Sequence, residues 1–199
     1  MIELSSAELS RWVASYLWVL FRIASLLMTM PVLGTQLLPV RVRLYFALAL
    51  TLLIAPQVGE VPLLDALSLS TWIVIGEQIL IGAAMGFSLQ LLFQVHVLAG
   101  QIIAMQMGLG FASMNDPSTG ISVAVVAQVF TMLVTLLFLA MNGHLVVLEV
   151  LAESFTTLPI GESLGRMDFQ ALVLRFSWVM AAAILIGMPA ITALLIVNI

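Results

Sequence analysis

The chain has 199 residues, of which 63% are hydrophobic and 8% charged, whereas soluble domains carry roughly a quarter charged residues. Its six basic residues are all arginine and its formal net charge is -4, with no basic cluster of the kind that follows a phosphate backbone, so nucleic-acid binding is not expected. Cysteine is absent, which excludes disulfides, thiolate metal sites and cysteine nucleophiles and makes this a membrane-class composition without covalent staples.

The first apolar stretch covers about 12–33. Glu3 and Glu8 stand ahead of it where a cleavable signal peptide would carry positive charge, so it reads as a retained segment. Gly34 and Pro39 bracket the gap that follows, and Arg41 and Arg43 come after it. Set against Glu60 and Asp65 in the second gap, these arginines place the N-terminus outside and the first gap in the cytoplasm under the positive-inside rule. The second stretch, 44–58, ends in "APQVGEVP", whose two prolines remove backbone donors.

The third stretch, 72–103, contains Gln78, Gly82, Gly86, Gln90 and Gln94 at four-residue spacing. On a helix these form a stripe drifting about 40° per step. Glycines four apart let a second backbone come close, and glutamine amides bond across helix interfaces, so this face is expected to meet another helix, of this chain or of a partner. The fourth and fifth stretches, 121–151 and 171–198, flank the polar run "ESFTTLPIGESLGRMD". The chain ends at Asn198 and Ile199 within an apolar run, so a longer natural protein is expected.

Helices are the expected elements throughout, because open strands would leave unpaired backbone groups in hydrocarbon. Their lengths are uneven. A hydrocarbon core of about 30 Å takes about 20 helical residues, while 72–103 would run roughly 48 Å and 44–58 only about 22 Å. Such lengths predict an all-α fold of membrane-class hairpins packed largely on other protein; tilted or glycine-broken spans are the simpler alternative.

Arg22, Glu77, Glu149 and Arg175 stand inside apolar runs. A charge at bilayer depth costs about 2.5–3.5 kcal/mol on insertion scales, so each should find a counter-charge, a wet cavity or the interface, and arginine–glutamate pairing is the natural expectation. His96 and His144 lack any nearby ligand pattern and read as satisfied structural histidines. No HExxH, Walker lysine or serine-nucleophile turn occurs, so neither catalysis nor a metal or other cofactor is expected.

Between the third and fourth stretches runs "AMQMGLGFASMNDPSTGIS". Gly108 and Gly110 permit backbone angles closed to other residues, Met105, Met107 and Met114 are deformable, and Phe111 adds a flat apolar body. Asn115-Asp116-Pro117 favours a turn, with Ser118 or Thr119 available to cap a helix starting near Ile121. A segment of this kind can seal a hole and yield to a passing chain, or simply connect two helices.

"QMGLGFASMNDPSTG", together with "FRIASLLMTMPVLGTQLLPVRVRLYFALALTLLIAP" and Glu77 within "GEQILIGAAMGF", resembles the FliR family of flagellar export-gate proteins, related to the SctT family of virulence type III secretion. The resemblance covers essentially the whole chain. It implies one non-enzymatic subunit joined to five FliP-like and four FliQ-like subunits in a helical gate contacted by an FlhB-like protein. Such a gate lies in the bacterial inner membrane within the flagellar basal body, embedded in membrane lipid, projects toward the periplasm, and passes unfolded flagellar proteins. It further implies a FliP-like part over about 1–120, the start of a FliQ-like part over about 121–199 with final helices missing, and a plug at 107–119. Met107, Gly108, Gly110, Phe111, Met114, Asn115, Asp116 and Pro117 are then the constriction residues. The alternative from another class is a proton-coupled small-solute transporter using Glu77, Asp116 or Glu149.

Overall fold

The computed structural model describes residues 6–35, 38–59, 61–62, 68–109, 113–115, 122–161 and 168–197; of residues 6–11, 113–115, 122, 123 and 169 it describes the backbone alone. Six α-helices run in order: α1 (Ser6–Thr29), α2 (Val40–Ile54), α3 (Leu69–Gln106), α4 (Val125–Ala140), α5 (Gly143–Thr157) and α6 (Phe169–Val197). Among the described residues a 3-10 turn, Ala55–Gln57, extends α2, and two three-residue strands, β1 (Ser113–Asn115) and β2 (Ser122–Ala124), lie between α3 and α4. Apart from that ladder the regular structure among the described residues is helical, an all-α architecture, as the apolar composition requires.

The lengths are more uneven than the hydropathy pattern predicts. Helix α3 has 38 residues, about 57 Å at about 1.5 Å per residue, close to twice a hydrocarbon core of about 30 Å. Helix α2 has 15, followed by Pro56 at the start of the 3-10 turn. Among the described residues four helices are long and apolar enough to cross a membrane, with windows Trp12–Thr29, Val40–Gln57, Leu69–Gln106 and Gln170–Val197; the α4–α5 pair would be a fifth if it is one span.

The apolar run 121–151 is not one helix, as its hydropathy suggests. Helix α4 stops at Ala140, Asn142 takes a left-handed φ of 56°, and α5 starts at Gly143. Asn142 tolerates that conformation, and Gly143 is required beside it because a Cβ there would run into the Phe138 ring. Helix α4 also begins later than the sequence suggests. Residues 122–124 are extended, and Ala124 precedes the helix with no side-chain cap, so a helix start near Ile121 is corrected to Val125. Ser118 and Thr119 lie outside the described residues. Helix α6 has the cap that α4 lacks, Asp168 Oδ1 accepting from the Ala171 amide at 2.9 Å.

The chain forms two compact units, each drawn from separate stretches. The first comprises Met1–Gly34, Leu38–Gly86 and Leu145–Met167; the second, Thr35–Leu37, Phe87–His144 and Asp168–Ile199. In the first, Trp18, Arg22, Ile23 and Leu26 of α1, Gln78 and Ile81 of α3, and Leu151 of α5 are fully buried. The second has a smaller core at Leu91, Val95 and Val179, with Phe93 edge-on to Phe138 at 5.5 Å between centroids.

Candidate functional site

Two places in the fold concentrate the residues singled out by the sequence. In the first unit, α1 carries Trp18, Arg22, Ser25 and Thr29 at helical spacing, and this face meets α3. The meeting is backbone-close. A Cβ at Gly82 would overlap Ser25 Oγ and the Arg22 carbonyl, and one at Gly86 would lie 2.9 Å from the Met30 nitrogen and 3.0 Å from the Leu26 oxygen. The hydroxyls trapped there cost little, because Ser25 donates to the Arg22 carbonyl at 3.0 Å and Thr29 to the Ser25 carbonyl at 2.8 Å.

At the centre of this contact the Arg22 guanidinium is fully buried. Its Nε donates to Gln78 Oε1 at 2.8 Å and its Nη2 to the same oxygen at 2.5 Å. Nη1 donates to the Ser154 carbonyl at 2.8 Å and to Ser154 Oγ at 3.2 Å, and Nη2 reaches the Leu158 carbonyl at 2.9 Å. A guanidinium carries its N–H donors on three nitrogens, and each of the three is engaged here. The Phe155 ring lies beneath it, 4.3 Å from Cζ to the ring centroid, within cation–π range. Glu77 is 3% exposed and acts on the Arg22 charge electrostatically.

Arg22 donates to uncharged acceptors of α3 and of the end of α5, and the Glu77 carboxylate acts on its charge as well. Neutral acceptors fit because the carbonyls at a helix C-terminus carry the negative end of its dipole. Glu149 and Arg175 are exposed in this chain.

In the second unit the Met-Gly segment begins with an ordered helix end. The Leu109 amide donates to the Ala104 carbonyl at 2.9 Å and the Gly108 amide to the Met105 carbonyl at 3.1 Å, the paired bonds of a Schellman motif. Gly108 has a φ of 71° and open space where a Cβ would be. Met105, Met107 and Leu109 are exposed around this turn. Beyond it, β1 and β2 pair antiparallel in the register Ser113 with Ala124, Met114 with Val123 and Asn115 with Ser122. The segment is thus partly a ladder, where a wholly irregular loop was expected. Behind it α3 and α4 touch backbone to backbone: a Cβ at Gly100 would come 2.6 Å from Ala127 Cα.

The family described as bacterial export proteins, family 1, matches residues 13–199. Flagellar biosynthetic protein FliR of Escherichia coli (strain K12) is 38% identical over 201 residues, covering 100% of this chain and 76% of that protein. The chain belongs to the FliR family of bacterial export proteins. FliR of Pectobacterium carotovorum subsp. carotovorum is 35% identical with the same coverage, and FliR of Aquifex aeolicus (strain VF5) is 32% identical over 179 residues, 89% of this chain and 69% of that one.

For a FliR-family chain, the residues marked by the sequence fall as follows. Met107 and Gly108 lie in the Schellman turn and Met114 and Asn115 in β1, while Gly110, Phe111, Asp116 and Pro117 fall outside the described residues. Gln78, Gly82 and Gly86 face the interior of the first unit; Gln90 is half-buried and Gln94 exposed. His96 Nδ1 lies 3.2 Å from the Leu92 carbonyl of its own helix, and His144 is half-buried. Among the described residues no group of acidic or histidine side chains forms a metal site. Sequence reasoning missed Ser154, Phe155 and Leu158 around Arg22, and the Gly100–Ala127 contact. The first three sit in a stretch read only as polar. A small residue on each of two neighbouring helices was the available signal for the contact.

Proposed function

We propose that this chain is a non-enzymatic core subunit of the flagellar type III protein export gate in the bacterial inner membrane. With FliP-like and FliQ-like subunits it forms the conduit, in contact with an FlhB-like protein, and its 107–119 segment closes that conduit at rest. Unfolded flagellar proteins are the cargo. The observation that carries the export role is the family match over 13–199 together with relatives named flagellar biosynthetic protein FliR that span the whole chain. The plug reading is supported by the exposed methionines at the end of α3, by Gly108 in the left-handed region, and by a ladder of only three residues per strand. An isolated two-stranded ladder is marginal in stability, so the segment can be displaced without dismantling the helices that frame it. A periplasmic projection of the assembly accords with α3 being far longer than a bilayer needs.

Bulky, rigid replacements at Gly110 and Met114 are expected to block flagellar export, and deletion within 107–119 to raise ion leakage across the membrane. The measurements are secretion of flagellar proteins and membrane conductance in a strain carrying the full-length variant. Normal export with normal conductance in both variants would refute the plug. Uptake of a small solute by the purified chain alone in liposomes would support a transporter instead.

A further inference from the structure

Trp18 and Arg22 are one helical turn apart, so both project from the same face of α1, and both are fully buried. Each holds a place where the chain leaves a helix. The Trp18 indole donates to the Pro62 carbonyl at 3.1 Å, beyond the 3-10 turn that ends α2. Arg22 holds Ser154 and Leu158, where α5 ends. The two exits are neighbours, since a Cβ at Gly161 would lie 3.6 Å from Pro62 Cγ. The Leu158 amide already donates to the Ser154 carbonyl at 3.0 Å, so that oxygen accepts from its own helix and from α1 together.

We propose that Arg22 is a positioning residue: a guanidinium supplied by α1 that caps the C-terminal end of α5 from another helix, and with Trp18 holds both chain exits on one face of α1. What the unit requires is the forked geometry and not the charge alone. A lysine ammonium has three donors radiating from one atom. Arg22 meets Gln78 along its Nε–Nη2 edge while Nη1 and Nη2 reach carbonyls four residues apart, an arrangement a point charge does not span. This inference is independent of the plug, because every residue in it belongs to the first unit.

Amide hydrogen exchange on the full-length protein, solubilised from membranes with the subunits that accompany it, tests the clamp. In Arg22→Lys, exchange over 154–161 should rise at least about tenfold, as expected for losing hydrogen bonds from a charged donor, while 87–106 keeps the parent rate. The double variant Arg22→Met/Gln78→Leu, which removes the guanidinium together with its α3 acceptor, should show the same local rise. Ser154→Ala strips one acceptor from Nη1 with little change in volume and should give a rise of about two- to tenfold over the same residues. Parent-like exchange at 154–161 in Arg22→Lys would overturn the requirement for the fork. A rise spread evenly over all helices, or no rise in Ser154→Ala, would overturn the capping role, the latter even if the Arg22 variants fail to accumulate.

Discussion

Gly82 on α3 and Ser25 on α1 are in contact so close that no side chain fits between them: a methyl group on Gly82 would occupy the space of the Ser25 hydroxyl. The missing side chain is therefore what lets the two helices meet. Replacing Gly82 by alanine should cost about 1–3 kcal/mol through overpacking. Gly76, two turns earlier on the same helix, has nothing within 4 Å of its Cβ position. Alanine there should stabilise by about 0.5–1 kcal/mol through helix propensity alone. Thermal unfolding in detergent of the two variants side by side measures both, and equal shifts of one sign would contradict the contact.

At the other end of α3 the demand for glycine is conformational and not steric. Gly108 holds φ at 71° in open space, so Gly108→Ala should destabilise by about 1–2 kcal/mol, the penalty for an L-residue in the left-handed region. Asparagine, which visits that region readily, should lose less. Helix fraying read by exchange at residues 104–107 is the check, and an alanine variant as protected as the parent would remove the Schellman turn from the account.

Gly100 faces a steric demand from Ala127, in the first turn of the helix that follows β2. Valine at this position must push α4 away, because even a Cβ would stand 2.6 Å from Ala127 Cα. The expected outcome is a loss of about 1–3 kcal/mol, with loss of flagellar export if α3 and α4 frame the plug as proposed. Export is measured by motility in soft agar alongside protein level in the membrane, and normal motility at normal level would separate this contact from gating.

Trp18→Phe keeps the buried aromatic body and deletes only the N–H that meets the Pro62 carbonyl at 3.1 Å. A loss of about 0.5–1.5 kcal/mol is expected for one part-buried hydrogen bond, with faster exchange confined to residues around 58–62. A thermal shift without that local signature would mean that packing, not the bond, is what Trp18 provides.

The helices were legible in the sequence because hydrocarbon leaves the backbone few choices, and the stripe from Gln78 to Gly86 was legible because glycine has few reasons to sit in a long helix. Which helix it meets was not. Ser25 and Thr29 look like ordinary small polar residues until their hydroxyls are seen turned back onto carbonyls one turn earlier in α1. The break in 121–151 was hidden because Asn142 and Gly143 are two residues in a predominantly apolar run, too few to lower its hydropathy. Arg22 was marked as a charge needing compensation, and beside Glu77 it also has uncharged acceptors: a glutamine amide, a serine and two backbone carbonyls. Backbone carbonyls occur at every position and leave no mark in composition, so no pattern of residue types could have named Leu158.

The sequence distance across the Arg22 cluster sets a clock on biosynthesis. Gln78 lies 56 positions downstream, and Ser154 and Leu158 lie 132 and 136 downstream. At about 5–20 residues per second, the ribosome needs roughly 7–26 s after Arg22 to reach Ser154. Throughout that interval a cation that ends up wholly enclosed has no acceptor from α5, and at the centre of a lone membrane helix it would cost about 2.5–3.5 kcal/mol. A chain inserted segment by segment bears that cost until α5 is made, so the seat of Arg22 is complete only after most of the chain has been synthesised.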